Sequence, residues 1–155
     1  MANSRLLNFL DHQLLAEEEE GYIIRISLSL GWSGLKYARD ASAALDQLET
    51  ELREYESGSR KVLTVPWRVQ EGYGGAWIYR ALARIPYGGR ISYGALASLA
   101  GKPRAIRAAA SWCRKNPLPI LLPCHRVIRK DGSPGRYSLG DSLKTALLEL
   151  ECDYD

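Results

Sequence analysis

The sequence predicts a mixed α/β (α+β) protein. A small β-hairpin or sheet with one helix occupies residues 1–70, and a mostly helical unit with a helix-turn-helix follows over 71–155. Three observations carry this expectation. β-Branched, partly alternating residues are concentrated in the first part, closely spaced segments of helical character follow in the second, and glycine-rich Gln70 to Gly75 separates acidic from basic composition.

The elements follow in order. Leu6 to Ala16 is apolar and fits a helix or a strand, whereas Tyr22-Ile23-Ile24-Arg25-Ile26-Ser27-Leu28 favours a strand. Glu17-Glu18-Glu19-Glu20-Gly21 between them reads as a solvated turn, which makes a hairpin. From Ser42, a good N-cap, Ala44, Leu45, Leu48, Leu52 and Tyr55 fall at helical spacing, and Gly58 stops the helix after Glu56. Lys61 to Val69 reads as a short strand broken by Pro66. Beyond the linker, Ala76 to Ile85 is a helix ended by Pro86-Tyr87-Gly88-Gly89. Ser92 caps a second, Tyr93 to Ala100, with Gly101 at its end; Pro103 opens a third that runs to about Lys115, before Asn116-Pro117. The last two form the helix-turn-helix candidate. Asp141 opens a final helix.

At 155 residues, 46% hydrophobic and 25% charged, the chain can bury one good core or two small ones, and its 14 Gly and 7 Pro exclude a low-complexity chain. No apolar run reaches the roughly 20 residues of a membrane helix, and no signal-peptide core follows Met1 to Arg5. The expected compartment is the cytoplasm. Cys113, Cys124 and Cys152 are an odd set, expected as free thiols, and with His12 and His125 they match no zinc-site spacing. His12 is expected to be structural.

The net charge of +3 hides an uneven distribution: residues 1–70 carry a balance of −3 and residues 71–155 one of +6. Residues 72–130 contain 11 Lys/Arg and no acid, which fits either a polyanion partner or a solvated basic face. Within this block the helix after Pro103 combines small Ala105, Ala108, Ala109, Ala110 and Ser111 with basic Arg104, Arg107, Arg114 and Lys115. Such a helix can approach DNA closely, or pack internally with basic edges. Trp112 beside it is expected in the core. Downstream, apolar Leu118 to Pro123 must be buried and delivers Cys124-His125-Arg126, a thiol beside an imidazole, the pairing that a positioned nucleophile needs, although taken by itself the pair fits an inert buried thiol better.

Pro123-Cys124-His125-Arg126-Val127, preceded by Asn116-Pro117-Leu118-Pro119-Ile120, by Ile85-Pro86-Tyr87-Gly88 and by Ile91-Ser92-Tyr93, closely resembles the O6-alkylguanine-DNA alkyltransferase family. The likeness runs from about Ala76 to Glu151; residues 1–70 resemble the family only in outline. The resemblance implies DNA repair by a single-turnover methyltransferase, in which Cys124 takes the alkyl group irreversibly. His125 acts as general base through a water, as befits neighbouring side chains that point apart on an extended segment. Glu151 orients His125, and Asn116 braces the turn. It also implies a minor-groove helix with Arg107 as the finger that replaces a flipped nucleotide, Tyr93 as its rotator, and close approach at Ala108 and Ala110. Arg114 is among the DNA contacts, while the Val127 backbone with Tyr137 and Ser138 forms the guanine pocket. No cofactor and no metal are implied. The implied partner is double-stranded DNA containing O6-alkylguanine, bound by a monomer, with clustering along DNA left open.

The chain departs from the family pattern at Glu71-Gly72-Tyr73-Gly74-Gly75, at Arg136 and Leu139 in the pocket loop, and in lacking the N-terminal zinc pattern of some members. Two other readings compete: an alkyltransferase-like protein that binds lesions without transfer, whose class usually has Trp where Cys124 stands, and a thiol hydrolase using Cys124, His125 and Asn116.

Overall fold

The computed structural model describes residues 3–29, 42–70 and 74–152. Glu71, Gly72 and Tyr73 of the expected linker lie outside the described residues. The chain forms two compact units, Met1–Gln70 and Glu71–Asp155.

The first unit is an antiparallel meander of β1 (Asn3–Phe9), β2 (His12–Glu19) and β3 (Tyr22–Leu28), with helix α1 (Ala43–Ser57) against it. Leu6 to Ala16 is therefore two strands joined at Leu10-Asp11, both with positive φ (46° and 62°), the backbone of a two-residue hairpin turn. Glu56 Oε1 accepts from the Leu10 amide at 2.9 Å and helps to hold this turn. Of the glutamate run expected as a turn, only the end is one. Glu17, Glu18 and Glu19 belong to β2, and the turn proper is Glu20-Gly21. A register shift between Glu17 and Glu18 accompanies the burial of Glu18, whose oxygens accept from Asn3 Nδ2 and the Gly21 amide at 2.9 Å.

Helix α1 starts and stops where its caps dictate. Ser42 Oγ accepts from the Leu45 amide at 3.2 Å, and Gly58 closes the helix in the left-handed conformation at φ 83°. Leu45, Leu48, Leu52 and Tyr55 are buried, together with Leu14, Ala16 and Ile26 of the sheet. The strand expected over Lys61 to Val69 does not form; Trp67 alone bridges to Ile23. Pro66 has no amide to donate, and buried Glu51 takes the amides of Thr64 and Val65 at 2.6 and 3.1 Å. Those donors are thereby withdrawn from any ladder.

The second unit comprises α2 (Ala76–Leu82), β4 (Ile91–Ser92), α3 (Tyr93–Leu99), α4 (Ile106–Arg114), β5 (Val127–Ile128) and α5 (Asp141–Cys152). β4 and β5 pair in parallel, and Ile78, Leu82, Leu96, Ala97, Ala109, Leu118, Leu122, Leu143 and Leu147 are buried. Each fully buried leucine or isoleucine contributes about 1.5–3 kcal/mol.

Helix α2 ends at Leu82, short of the expected Ile85, because Arg84 and Ile85 donate in tight turns to Ala81 and Leu82. Ser92 caps α3 through a 3.0 Å bond from the Ala95 amide, and Lys102 closes it by donating to Ala97. Helix α4 begins at Ile106 rather than at Pro103. Pro103 instead occupies the second position of a turn closed by the Ala105 amide on the Lys102 carbonyl, where its fixed φ suits it equally. No helix among the described residues is long and apolar enough to cross a membrane.

Candidate active site and nucleic-acid interface

The apolar segment 118–123 is buried as expected apart from half-buried Leu121, and its geometry is set by Asn116. Its Oδ1 accepts from the Leu118 amide at 2.9 Å, while Nδ2 donates to the Leu122 carbonyl at 2.9 Å and to Cys124 Sγ at 3.2 Å. One buried amide side chain thus holds both ends of the loop and the thiol. Inside it Ile120 adopts φ 77°, a conformation costly for a β-branched residue. Burial of Leu118 and Leu122 and the Asn116 bonds offset that strain.

Cys124-His125-Arg126 is a single 3-10 turn, not the extended segment expected. The Cys124 amide donates to Leu122 at 2.7 Å and the Arg126 amide to Pro123 at 3.0 Å, which curls the chain. All three side chains are buried. Burial pushes the Cys124 thiol up to about 11, against the lowering effects of the Asn116 bond and the Lys144 charge.

His125 Nε2 lies 2.6 Å from Glu151 Oε2. Burial favours a protonated Glu151, but the hydrogen bonds from His125 and Arg126, with the Arg126 charge, prevail and hold it at about 2. An ionised carboxylate only accepts, so Nε2 carries the proton and Nδ1 keeps its lone pair. That Nδ1 is buried and meets no hydrogen-bond partner among the described residues. Burial also lowers the His125 pKa, so the ring is a neutral base.

Two residues of this site escaped the sequence reading of roles. Arg126 donates Nε to Glu151 Oε1 at 2.6 Å and NH1 to the Ile85 carbonyl at 2.6 Å. The Gly88 amide, at φ 78°, adds a 3.3 Å bond to Glu151 Oε1, which gives the Ile85-to-Gly88 motif a task. Lys144 is fully buried and donates to the Val127 carbonyl at 2.7 Å and to that of Arg136 at 3.4 Å. Its signal was in the sequence: Lys144, Leu147, Leu148 and Glu151 share one helical stripe, so a lysine there faces inward.

Tyr93, half-buried at the start of α3, lies with its ring centroid 5.9 Å from Lys144 Nζ, and burial raises its hydroxyl to about 12. A Cβ at Gly135 would sit 3.1 Å from the Tyr93 oxygen, so glycine lets that loop pass close to the ring. Tyr137 is buried, edge-on to His125 at 6.3 Å, while Ser138 is exposed. Leu139 is buried in the core and Arg136 is exposed. Cys124, His125, Glu151, Asn116, Tyr137 and the Val127 backbone therefore share one neighbourhood.

Helix α4 presents Ile106, Arg107 and Arg114 to solvent, with Ala108 and Ala110 partly covered. Its other side is buried through Ala109 and Cys113, so Cys113 faces the core and not the outer surface. Trp112 is only partly buried, with Tyr79 edge-on at 6.4 Å. Cys152 is exposed, 2.7 Å from an Arg90 guanidinium nitrogen, and His12 Nδ1 donates locally to the Leu10 carbonyl, 2.6 Å away.

Residues 76–152 match the model of the 6-O-methylguanine DNA methyltransferase DNA-binding domain. The chain is 34% identical over 146 residues to the constitutive methylated-DNA–protein-cysteine methyltransferase of Bacillus subtilis, covering 90% of this chain and 88% of that protein. It is 37% identical over 118 residues to the bifunctional transcriptional activator/DNA repair enzyme Ada of Escherichia coli, covering 76% of this chain but 30% of that protein. Among solved structures, the Mycobacterium tuberculosis OGT in complex with DNA superposes with a TM-score of 0.82 at 30% identity, over 97% of this chain and 93% of that one.

Proposed function

The chain belongs to the methylated-DNA–protein-cysteine methyltransferase family, and on that premise we propose that it repairs DNA by taking the alkyl group of O6-alkylguanine onto Cys124, once per molecule. The observation that carries the reading is the chain of contacts around one thiol: Asn116 on Cys124 Sγ, and Glu151 on the far nitrogen of neutral His125.

The thiol is protonated at neutral pH, since burial raises it to about 11, so transfer needs a base at the moment of attack. His125 supplies it through Nδ1, reached from the thiol by way of a water, and Glu151 steadies the imidazolium that forms. The Sγ–C bond forms as the O6–C bond breaks. The electron pair passes into the guanine ring, and the thiol proton, released through His125, balances it there. Asn116 keeps Sγ aimed along this line.

The buried position of Cys124 requires the base to be brought out of the duplex stack. Exposed Arg107 on α4 fills the place left in the stack, Tyr93 guides the rotating nucleotide, and partly covered Ala108 and Ala110 let the helix sit close to the minor groove. The Val127 backbone, Tyr137 and Ser138 receive the guanine. Arg114 contacts the flanking phosphates. The division of labour follows: residues 71–155 bind DNA and transfer the group, and residues 1–70 form an accessory α/β unit.

Incubation with a duplex containing O6-methylguanine should place one methyl group on the Cys124 peptide by mass spectrometry, and none in Cys124→Ala. Tight lesion binding with an unmodified protein would instead assign it to the lesion-binding class.

A further inference from the structure

A cleft of about 170 Å³ lies between α2 and the end of α3, away from Cys124, and is lined by Trp77, Arg80, Ala81, Arg84, Leu99 and Ala100. Arg80 and Arg84 stand one helical turn apart along α2 and its final turn, and both are exposed. Lys102 Nζ lies 4.4 Å from the Trp77 ring centroid, in cation–π contact at the rim of this cleft. Lys102 also lines a second, open groove with Pro103, Arg104 and Ala105, which leads to the start of α4. The two depressions are therefore joined at one lysine.

Among the described residues Arg80, Arg84, Lys102 and Arg104 make no ion pair, in contrast to Arg5, Arg60 and Arg68 in the first unit, which all do. No acid occurs between residues 72 and 130, so none stands near these four in sequence. A run of unpaired cations leading away from the proposed DNA-facing helix is complementary to a regularly spaced polyanion, and duplex phosphates have that spacing. An acidic protein surface would be met as well by charge, but continuity with the groove at the start of α4 favours DNA.

We infer that the DNA-contacting surface does not end at α4 but continues over Lys102 into the α2–α3 cleft, where Arg80 and Arg84 take phosphates of the duplex flanking the lesion. This inference rests on the reading of α4 as the DNA-facing helix. Trp77 holds Lys102 at the junction, which reduces the side-chain entropy lost when the phosphate is met. These contacts position the duplex and carry no sequence information.

The test is the salt dependence of binding to undamaged duplex and to duplex bearing one O6-methylguanine. Each lost phosphate contact lowers the magnitude of the slope of log K against log salt by about 0.9, so Arg80→Gln/Arg84→Gln should lower it by about 1.8 on both duplexes. Arg80→Lys/Arg84→Lys should retain the slope. Arg25→Gln/Arg53→Gln removes the same charge from the first unit and should leave the slope unchanged. An unchanged slope in the Arg80/Arg84 glutamine variant overturns the inference, as does an equal fall in the Arg25/Arg53 control. A changed binding stoichiometry at constant slope also overturns it and assigns the cleft to contact between protein copies. Because the slope is read from binding, its outcome is independent of whether a methyl group is transferred.

Discussion

Arg126 Nε and Glu151 Oε1 are 2.6 Å apart in the protein interior, the same separation as between Glu151 Oε2 and His125 Nε2. One carboxylate thus serves a permanent cation with one oxygen and a neutral ring with the other. Removing it would take from the buried guanidinium the carboxylate that lies 2.6 Å from its Nε. Glu151→Gln should cost about 3–5 kcal/mol in urea unfolding. The Arg126→Met/Glu151→Gln double variant should be more stable than the sum of the single losses by about 0.5–3 kcal/mol. Additive losses would show that the pair is not coupled.

The same arrangement sets the response to pH. The folded pKa of His125 is below its ordinary 6.5, through burial, so transfer should hold its rate as pH falls through 6.5 and decline only further into acid. A decline centred at 6.5 or above would contradict a buried neutral base. For stability both shifts are depressions in the folded state. Each contributes above the unfolded value and is lost toward the folded one, for Glu151 from 4.5 down to about 2. Glu151→Gln should flatten the dependence of Tm on pH in that lower window, while the wild type continues to lose stability.

Asn116 is expected to matter for folding and for chemistry separately. Asn116→Ala removes partners from the Leu118 amide and the Leu122 carbonyl, both buried, at about 1–3 kcal/mol for each group left unsatisfied. It also frees Cys124 Sγ and should slow transfer. Ile120→Gly offers a way to separate the effects: by relieving the positive φ it should restore part of the stability to the Asn116→Ala variant without restoring the rate. Recovery of both together would show that Asn116 acts on the thiol through the loop alone.

Thiol labelling should follow burial. Cys152 is exposed, whereas Cys113 and Cys124 are 5% and 3% exposed. At neutral pH iodoacetamide should modify Cys152 first, with the Cys124 and Cys113 peptides labelled only slowly until denaturant is added. Rapid modification of Cys124 in the folded protein would mean that its thiolate is populated without substrate.

Much of this was legible in the residues. The Ser42 and Gly58 caps, the Ser92 cap and the apolar stripe of α1 are local signals, and each element they bound is present. What failed was of another kind. Glu18 sits in a strand where the sheet register shifts, and residues 61–69 form no strand, Trp67 alone bridging to Ile23, because Pro66 has no amide to donate and Glu51, 13 positions from Thr64, takes the amides of Thr64 and Val65. Pro103 suits a turn and a first helical turn equally, and here the Ala105 amide donates to the Lys102 carbonyl and makes it a turn. At the site, Cys124, His125, Asn116 and Glu151 were readable through motif resemblance. Arg126 lies within that motif and Lys144 on the inward stripe of α5, but their roles were not readable, because their partners are backbone carbonyls and a carboxylate already given another task.

Helix ends ordinarily fray, and Glu151 stands in the last turn of α5. Here that turn is held from outside by Arg126 and the Gly88 amide, while His125 closes the remaining oxygen. Order at the end of α5 and the orientation of the proposed base His125 are consequently one equilibrium. A population in which the last turn has unwound is a population with an unoriented imidazole, so amide protection at residues 148–152 would report the competent fraction of repair molecules before any lesion is met.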